Sequence, residues 1–321
     1  MRCSIPHVAS LAAWTMLPAS TMLLALLGAC SEPAASHGTP SPSGTTASIP
    51  TASRPATRSA SQPRDYAAHV DALTARLPNS GFAIVVEPPF VVVAEGGAAI
   101  AKSWATSTVR WAVTKLMAEY FAVTPGPILD IWLFESDASY RRYCKEVFDD
   151  TPTTPYGYYS AAHRALIMNI STGGGTLVHE IVHPFVAANF PRCPSWFNEG
   201  LGSLYEQSSE RDGRIIGLTN WRLRGLQDAI LAKRVRPLAE LMATSSSEFY
   251  GEGSGLHYAM ARYLLFWLQE EGLLQNFWKE FVAEVSTDPT GLASFQKIAQ
   301  IQDLPAFQKR WEEWVLELRF H

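Results

Sequence analysis

The chain has 321 residues, of which 47% are hydrophobic and 17% charged, with a formal net charge of −4. That balance suits a well-cored soluble protein and leaves no basic footprint for nucleic acid. Beyond an N-terminal leader the length allows one large domain or two intimate subdomains.

Arg2 is the only charged residue before Cys30, and an apolar stretch runs from Val8 to Leu27. A short charged start, an apolar core and small residues before a cut describe a secretory signal, here residues 1–29. Leu27-Gly28-Ala29-Cys30 resembles the bacterial lipobox. That resemblance implies a lipid on Cys30 and a protein anchored in the cell envelope. Ser31 after the Cys implies the outer membrane, facing the periplasm or the exterior. Residues 30–64 are rich in Ser, Pro, Thr and Ala, with no aromatic residue. They cannot bury enough surface to offset their ordering entropy and read as a disordered tether. Residues 65–321 read as the folded domain.

Within it, Asp65 to Leu77 reads as a short helix, and the β-branched runs Phe82–Glu87 and Phe90–Ala94 as strands. Ala98–Phe121 has helical apolar spacing. Ile128–Phe134 reads as a buried strand and Asp137–Phe148 as a helix. Tyr156–Ser160 and Ala165–Ile170 form a predicted hairpin across Ala161-Ala162-His163-Arg164. Gly173-Gly174-Gly175 lacks the Gly-Lys-Ser/Thr of a phosphate loop and reads as a flexible helix entry. From Thr176 the chain turns helical: Thr176–Asn189, Pro194–Gln207, Leu218–Ala232, Pro237–Met242, His257–Glu271, Leu273–Val285 and Pro305–Leu318. The expected fold is α+β, with a small mixed sheet in residues 65–174 and a helical half in residues 175–321. Cys144 and Cys193 are an even pair, able to form a disulfide if their distance allows.

The chemistry concentrates in His179-Glu180-Ile181-Val182-His183, an H-E-x-x-H stretch inside a predicted helix. Residues four apart share a helix face, so both imidazoles can reach one metal ion. Glu180 projects about 100° round the helix from His179, where it can touch a metal-bound water. A catalytic zinc takes three protein ligands and one open position. Glu199, sixteen residues after His183 on a predicted returning helix, supplies a third. Gly200 and Gly202 beside it cost helix propensity and make sense where helices approach closely.

Thr176 to His183, followed by Trp196-Phe197-Asn198-Glu199-Gly200-Leu201, resembles the gluzincin metallopeptidases and, more narrowly, the bacterial peptidase-MA-like families. The close match covers about thirty residues. It implies a thermolysin-like zincin core, one Zn²⁺ on His179, His183 and Glu199, Glu180 as the base, and a peptide or protein substrate. Family members stabilise the oxyanion with a Tyr or His from the helical half, here Tyr258 with His257 second. The hairpin strand Ala165–Ile170 is an expected partner for an extended substrate. Two positions depart from the pattern. Ser203 stands where thermolysin-type enzymes carry an Asp that orients a zinc-bound His, leaving Glu206 as the substitute. Pro184 follows the second His and removes a helix hydrogen bond to the Glu180 carbonyl. The alternative to a peptidase is an envelope lipoprotein that keeps the fold, binds zinc or peptide, and lacks turnover.

Overall fold

A computed structural model describes residues 64–320. The signal-like segment, Cys30 and the tether up to residue 63 lie outside the described residues. Arg64 already belongs to the fold, because its guanidinium bonds Thr124, Pro125 and Gly126.

The first half is a five-stranded mixed sheet with helices on both faces. Its elements are α1 (Tyr66–Thr74), β1 (Phe82–Glu87), β2 (Phe90–Glu95), α2 (Gly97–Trp104), α3 (Trp111–Glu119), β3 (Leu129–Phe134), α4 (Asp137–Phe148), β4 (Gly157–Ser160) and β5 (Ala165–Asn169). The strand order is β1-β2-β3-β5-β4. β2, β3 and β5 run parallel, while β1 and β4 flank them antiparallel. The three central strands are buried on both faces, which is why they read as continuous apolar runs. Alternation still sorts their side chains. Trp132 and Phe134 pack with Tyr140, Tyr143 and Cys144 under α4. Leu129, Ile131 and Leu133 face the opposite core, with Val178, Val182 and Phe185.

The predicted helix over 98–121 is present but interrupted by a π-type turn at Ala105–Arg110. Thr106 and Ser107 bond the carbonyls of Lys102 and Ser103. Such bonds from side chain to preceding turn compete with the backbone ladder and loosen it.

The second half holds α5 (Gly175–Asn189), α6 (Ser195–Leu204), β6 (Ser208–Arg211), β7 (Arg214–Gly217), α7 (Arg222–Leu231), α8 (Leu238–Met242), α9 (Ser246–Phe249), α10 (Ser254–Glu270), α11 (Leu274–Glu284), α12 (Leu292–Ile298) and α13 (Leu304–Glu317). The hairpin β6–β7 was not expected. Its turn is Asp212-Gly213, both at positive φ, the two-residue connection that suits twisted strands. Helix α7 starts at Arg222, four residues later than the predicted Leu218, because Leu218–Asn220 is irregular chain leaving the hairpin and Trp221 is the residue before the first helical turn. α5 runs unbroken through Pro184.

Cys144 and Cys193 are free thiols rather than a disulfide. They belong to cores on opposite sides of the sheet. Burial pushes the Cys144 thiol up to about 12 and the Cys193 thiol well above its ordinary value, so both are poor nucleophiles.

Candidate metal centre

Helix α5 carries His179, Glu180 and His183 at helical spacing, and ligand atoms from all three lie within 4.8 Å of one another. Pro191 follows the helix, and the chain reverses into α6, which packs on α5 and α10. Glycines make that packing close. A Cβ on Gly202 would lie 3.1 Å from three atoms of the His179 ring, and one on Gly200 would lie 3.1 Å from the Leu265 side chain and 3.2 Å from Ala261. A Cβ on Gly175 would meet the Glu206 carbonyl oxygen at 2.0 Å, so the residue read as a flexible helix entry is a contact point.

This packing carries Glu199 into the face of the two histidines. Glu199 Oε2 lies 3.2 Å from His179 Nε2 and 3.7 Å from His183 Nε2. A tetrahedral zinc with ligand bonds near 2.0–2.1 Å has edges of about 3.4 Å, and both distances from Glu199 Oε2 lie near that value. The donor set, two imidazole nitrogens and a carboxylate oxygen, also fits.

Each candidate ligand has a polar neighbour behind it. His183 Nδ1 is 3.0 Å from Asn198 Oδ1, an acceptor that keeps the proton on Nδ1 and leaves Nε2 for a metal. His179 Nδ1 is 3.3 Å from Glu206 Oε1, an electrostatic contact without in-line hydrogen-bond geometry. Glu206 is in turn held by Arg222, whose Nη2 donates to Oε1 at 2.7 Å and Nε to Oε2 at 3.0 Å, and by Asn220 Nδ2 at 3.1 Å. Ser203 Oγ is buried without a partner and plays no part in this shell. Glu199 Oε1 accepts from the Tyr250 hydroxyl at 2.7 Å, which turns Oε2 toward the histidines.

Charge follows this geometry. Burial alone would lower the His179 pKa, but Glu199 and Glu206 outweigh it and raise the ring to about 10. Burial opposes ionisation of Glu199, yet His183, His179 and the Tyr250 hydroxyl bring it down to about 2. Glu206 is likewise held well below the carboxylate range, against its burial, by Arg222 and His179. Glu180 goes the other way. Burial raises its pKa and the two histidines only partly offset this. A carboxyl with a raised pKa beside ionised neighbours is a suitable acid–base group.

Tyr258 and His257 differ in what surrounds them. His257 Nδ1 bonds the Phe249 carbonyl at 2.9 Å, a structural tie. Tyr258 is buried, its ring 5.2 Å from Phe249 and 6.4 Å from Tyr250. Burial, then the Glu199 charge, lifts its pKa well above the ordinary value. Tyr250, half-buried on the segment before α10, was missed in the sequence because no helical period marks it. Asn198 had a signal, its place next to Glu199. Arg222, Asn220 and Arg262 had none. Arg262, fully buried on α10, donates to the Ser203 carbonyl at 2.9 Å and to the Leu204 and Leu218 carbonyls. It ties the end of α6 to the strand exit before α7. β5 lies between β3 and β4, so the edge strand on this side of the sheet is β4, not the strand expected to pair with substrate.

No protein-family model matches this chain, and no curated protein matches it.

Proposed function

We propose that the chain is a zinc-dependent peptidase of the cell envelope with a thermolysin-like arrangement of its centre. The observation that carries this reading is the convergence of His179 Nε2, His183 Nε2 and Glu199 Oε2, with Glu180 beside them. Zinc held there would act as a Lewis acid toward a carbonyl and would acidify a bound water.

The chain's own groups supply the rest. Glu180 takes the proton of the attacking water and returns it to the leaving amine, and its raised pKa suits both transfers. Asn198 and Glu206 fix the two imidazole rings, so their Nε2 atoms need no reorientation. Oxyanion stabilisation falls to a tyrosine hydroxyl, Tyr250 or Tyr258, since both rings lie against Glu199. The edge strand β4 packs near α5, where an extended peptide could add to the sheet.

Two measurements test the reading. Purified protein should hold one zinc per chain by elemental analysis. Glu180→Gln should keep that zinc and lose peptide cleavage by at least about a hundredfold, the scale of a general base. Equal cleavage by variant and parent across a peptide library would eliminate the peptidase. Zinc retained with no cleavage by either protein would leave a binding module with the same centre.

A further inference from the structure

Seven large apolar side chains are well exposed among the described residues, and four of them, Leu218, Trp221, Leu231 and Phe320, belong to α7, the segment leading into it and the C-terminal segment packed on it. The three most exposed of the seven are in this group, Leu231 at 71%, Trp221 at 58% and Phe320 at 50%. Sequence does not group them; tertiary contacts do. Thr219 Oγ1 donates to the Arg319 carbonyl at 2.8 Å, which sets the C-terminal Phe320 beside Leu218–Trp221. Gln227 in mid-α7 donates to the carbonyls of Val315 and Leu318, fixing α7 against the end of α13.

The same segments carry exposed cations. Arg224, Lys233, Arg234 and Arg319 are all exposed. Among the described residues none of the four has a carboxylate within ion-pair distance. From residue 222 to 236 the chain holds five Arg or Lys and one Asp, in a protein whose formal charge is −4. Trp and Phe interleaved with Arg and Lys is the composition of surfaces that sit at a lipid headgroup layer. A protein partner would favour contiguous apolar area. Here Arg224 and Asp228 separate Trp221 from Leu231 along an exposed helix face of about 15 Å.

We propose that α7 and the C-terminal segment form a docking surface for an anionic lipid bilayer, with Trp221, Leu231 and Phe320 as the inserted anchors. The surface is also wired to the metal centre. The Arg222 guanidinium lies 4.2 Å from the Trp221 ring centroid on one side and grips Glu206 on the other, and Glu206 contacts His179. Docking therefore holds the metal centre close to the headgroup layer, two residues in from the inserted indole.

The full chain reconstituted into vesicles tests this, with phosphatidylcholine alone compared with about one-third phosphatidylglycerol. Lipids brominated in the acyl chains quench indoles that enter the bilayer. In anionic vesicles the parent should lose more emission than Trp221→Phe, and the difference should collapse in phosphatidylcholine. Lys233→Ala with Arg234→Ala should weaken docking on the order of 30-fold, and Leu231→Ser should also lower it, with helix content by circular dichroism unchanged. Equal quenching of parent and Trp221→Phe in anionic vesicles overturns the proposal. So does a Trp221 shielded from aqueous iodide but untouched by brominated lipid, which would assign the surface to a protein partner.

Discussion

Asn198 Oδ1 lies 3.0 Å from His183 Nδ1, although the two residues sit on different helices fifteen positions apart. The contact places a hydrogen-bond acceptor behind a candidate metal ligand, from the residue immediately before another such ligand, Glu199. A shift of α6 would therefore move ligand and orienter together.

Asn198→Ala removes the acceptor and leaves His183 free to choose its tautomer. Zinc affinity should fall about 10–100-fold, the usual cost of losing such a partner. Asn198→Asp, which keeps the acceptor, should recover most of it. Chelator competition at fixed pH measures both. Unchanged affinity in Asn198→Ala would show that packing alone orients the ring.

Glu206→Gln tests the other histidine. Glu206 joins His179, Arg222 and Asn220, so the change removes the charge that both cations face. Arg222 is buried and would lose its counter-ion, which costs about 3 kcal/mol when one partner of a buried pair is removed. Chemical denaturation should show that loss with metal absent, and chelator competition should show weaker zinc binding as well. Glu206→Gln at parental stability would mean that Arg222 finds another anion or water.

The sheet and most helices were legible because period and punctuation carried them. Phe82–Glu87, Asp137–Phe148 and the β4–β5 hairpin fall where alternation, capping residues and turns put them. The β6–β7 hairpin was missed although Asp212-Gly213 is a turn signal, because its flanking strands are only four residues each and carry charged residues. The centre was legible only in part. His179, Glu180, His183 and Glu199 follow from two local spacings, whereas Arg222, Asn220 and Tyr250 arrive through tertiary contacts across 16, 14 and 51 positions. No local pattern encodes such distances. Leu218–Ala232 misled for a related reason: Leu218 and Trp221 extend the apolar period of α7 but are exposed surface residues outside it.

Gly202→Ala probes how tightly α6 lies on the His179 ring. The added methyl would be 3.1 Å from Cε1, Nδ1 and Nε2, closer than ordinary contact, and the ring is walled in by Glu199 and Glu206. Overpacking of this kind costs about 1–3 kcal/mol. Both thermal stability and zinc content should drop. Gly225→Ala, where a Cβ meets nothing within 4 Å, is the control and should be neutral or slightly stabilising.

The charges of the centre also set how stability and zinc uptake depend on pH. Glu199 and Glu206 have folded pKa values below their ordinary 4.5, so their stabilisation is complete above about pH 4.5 and is lost as pH falls toward 2. His179 has a folded pKa near 10 against an ordinary 6.5, so its contribution is complete below pH 6.5 and is lost as pH rises through 10. For protein stripped of metal, these groups together favour a stability maximum between about pH 4.5 and 6.5, which denaturation at a series of pH values would locate. Zinc uptake has the opposite sign at the alkaline end, since His179 must give up its proton before Nε2 can serve as a ligand. Titration with zinc at pH 7 should release close to one proton per chain, read from the heat difference between buffers of unlike ionisation enthalpy. Release near zero would mean that His179 is already neutral at pH 7, and the alkaline loss of stability should then vanish with it.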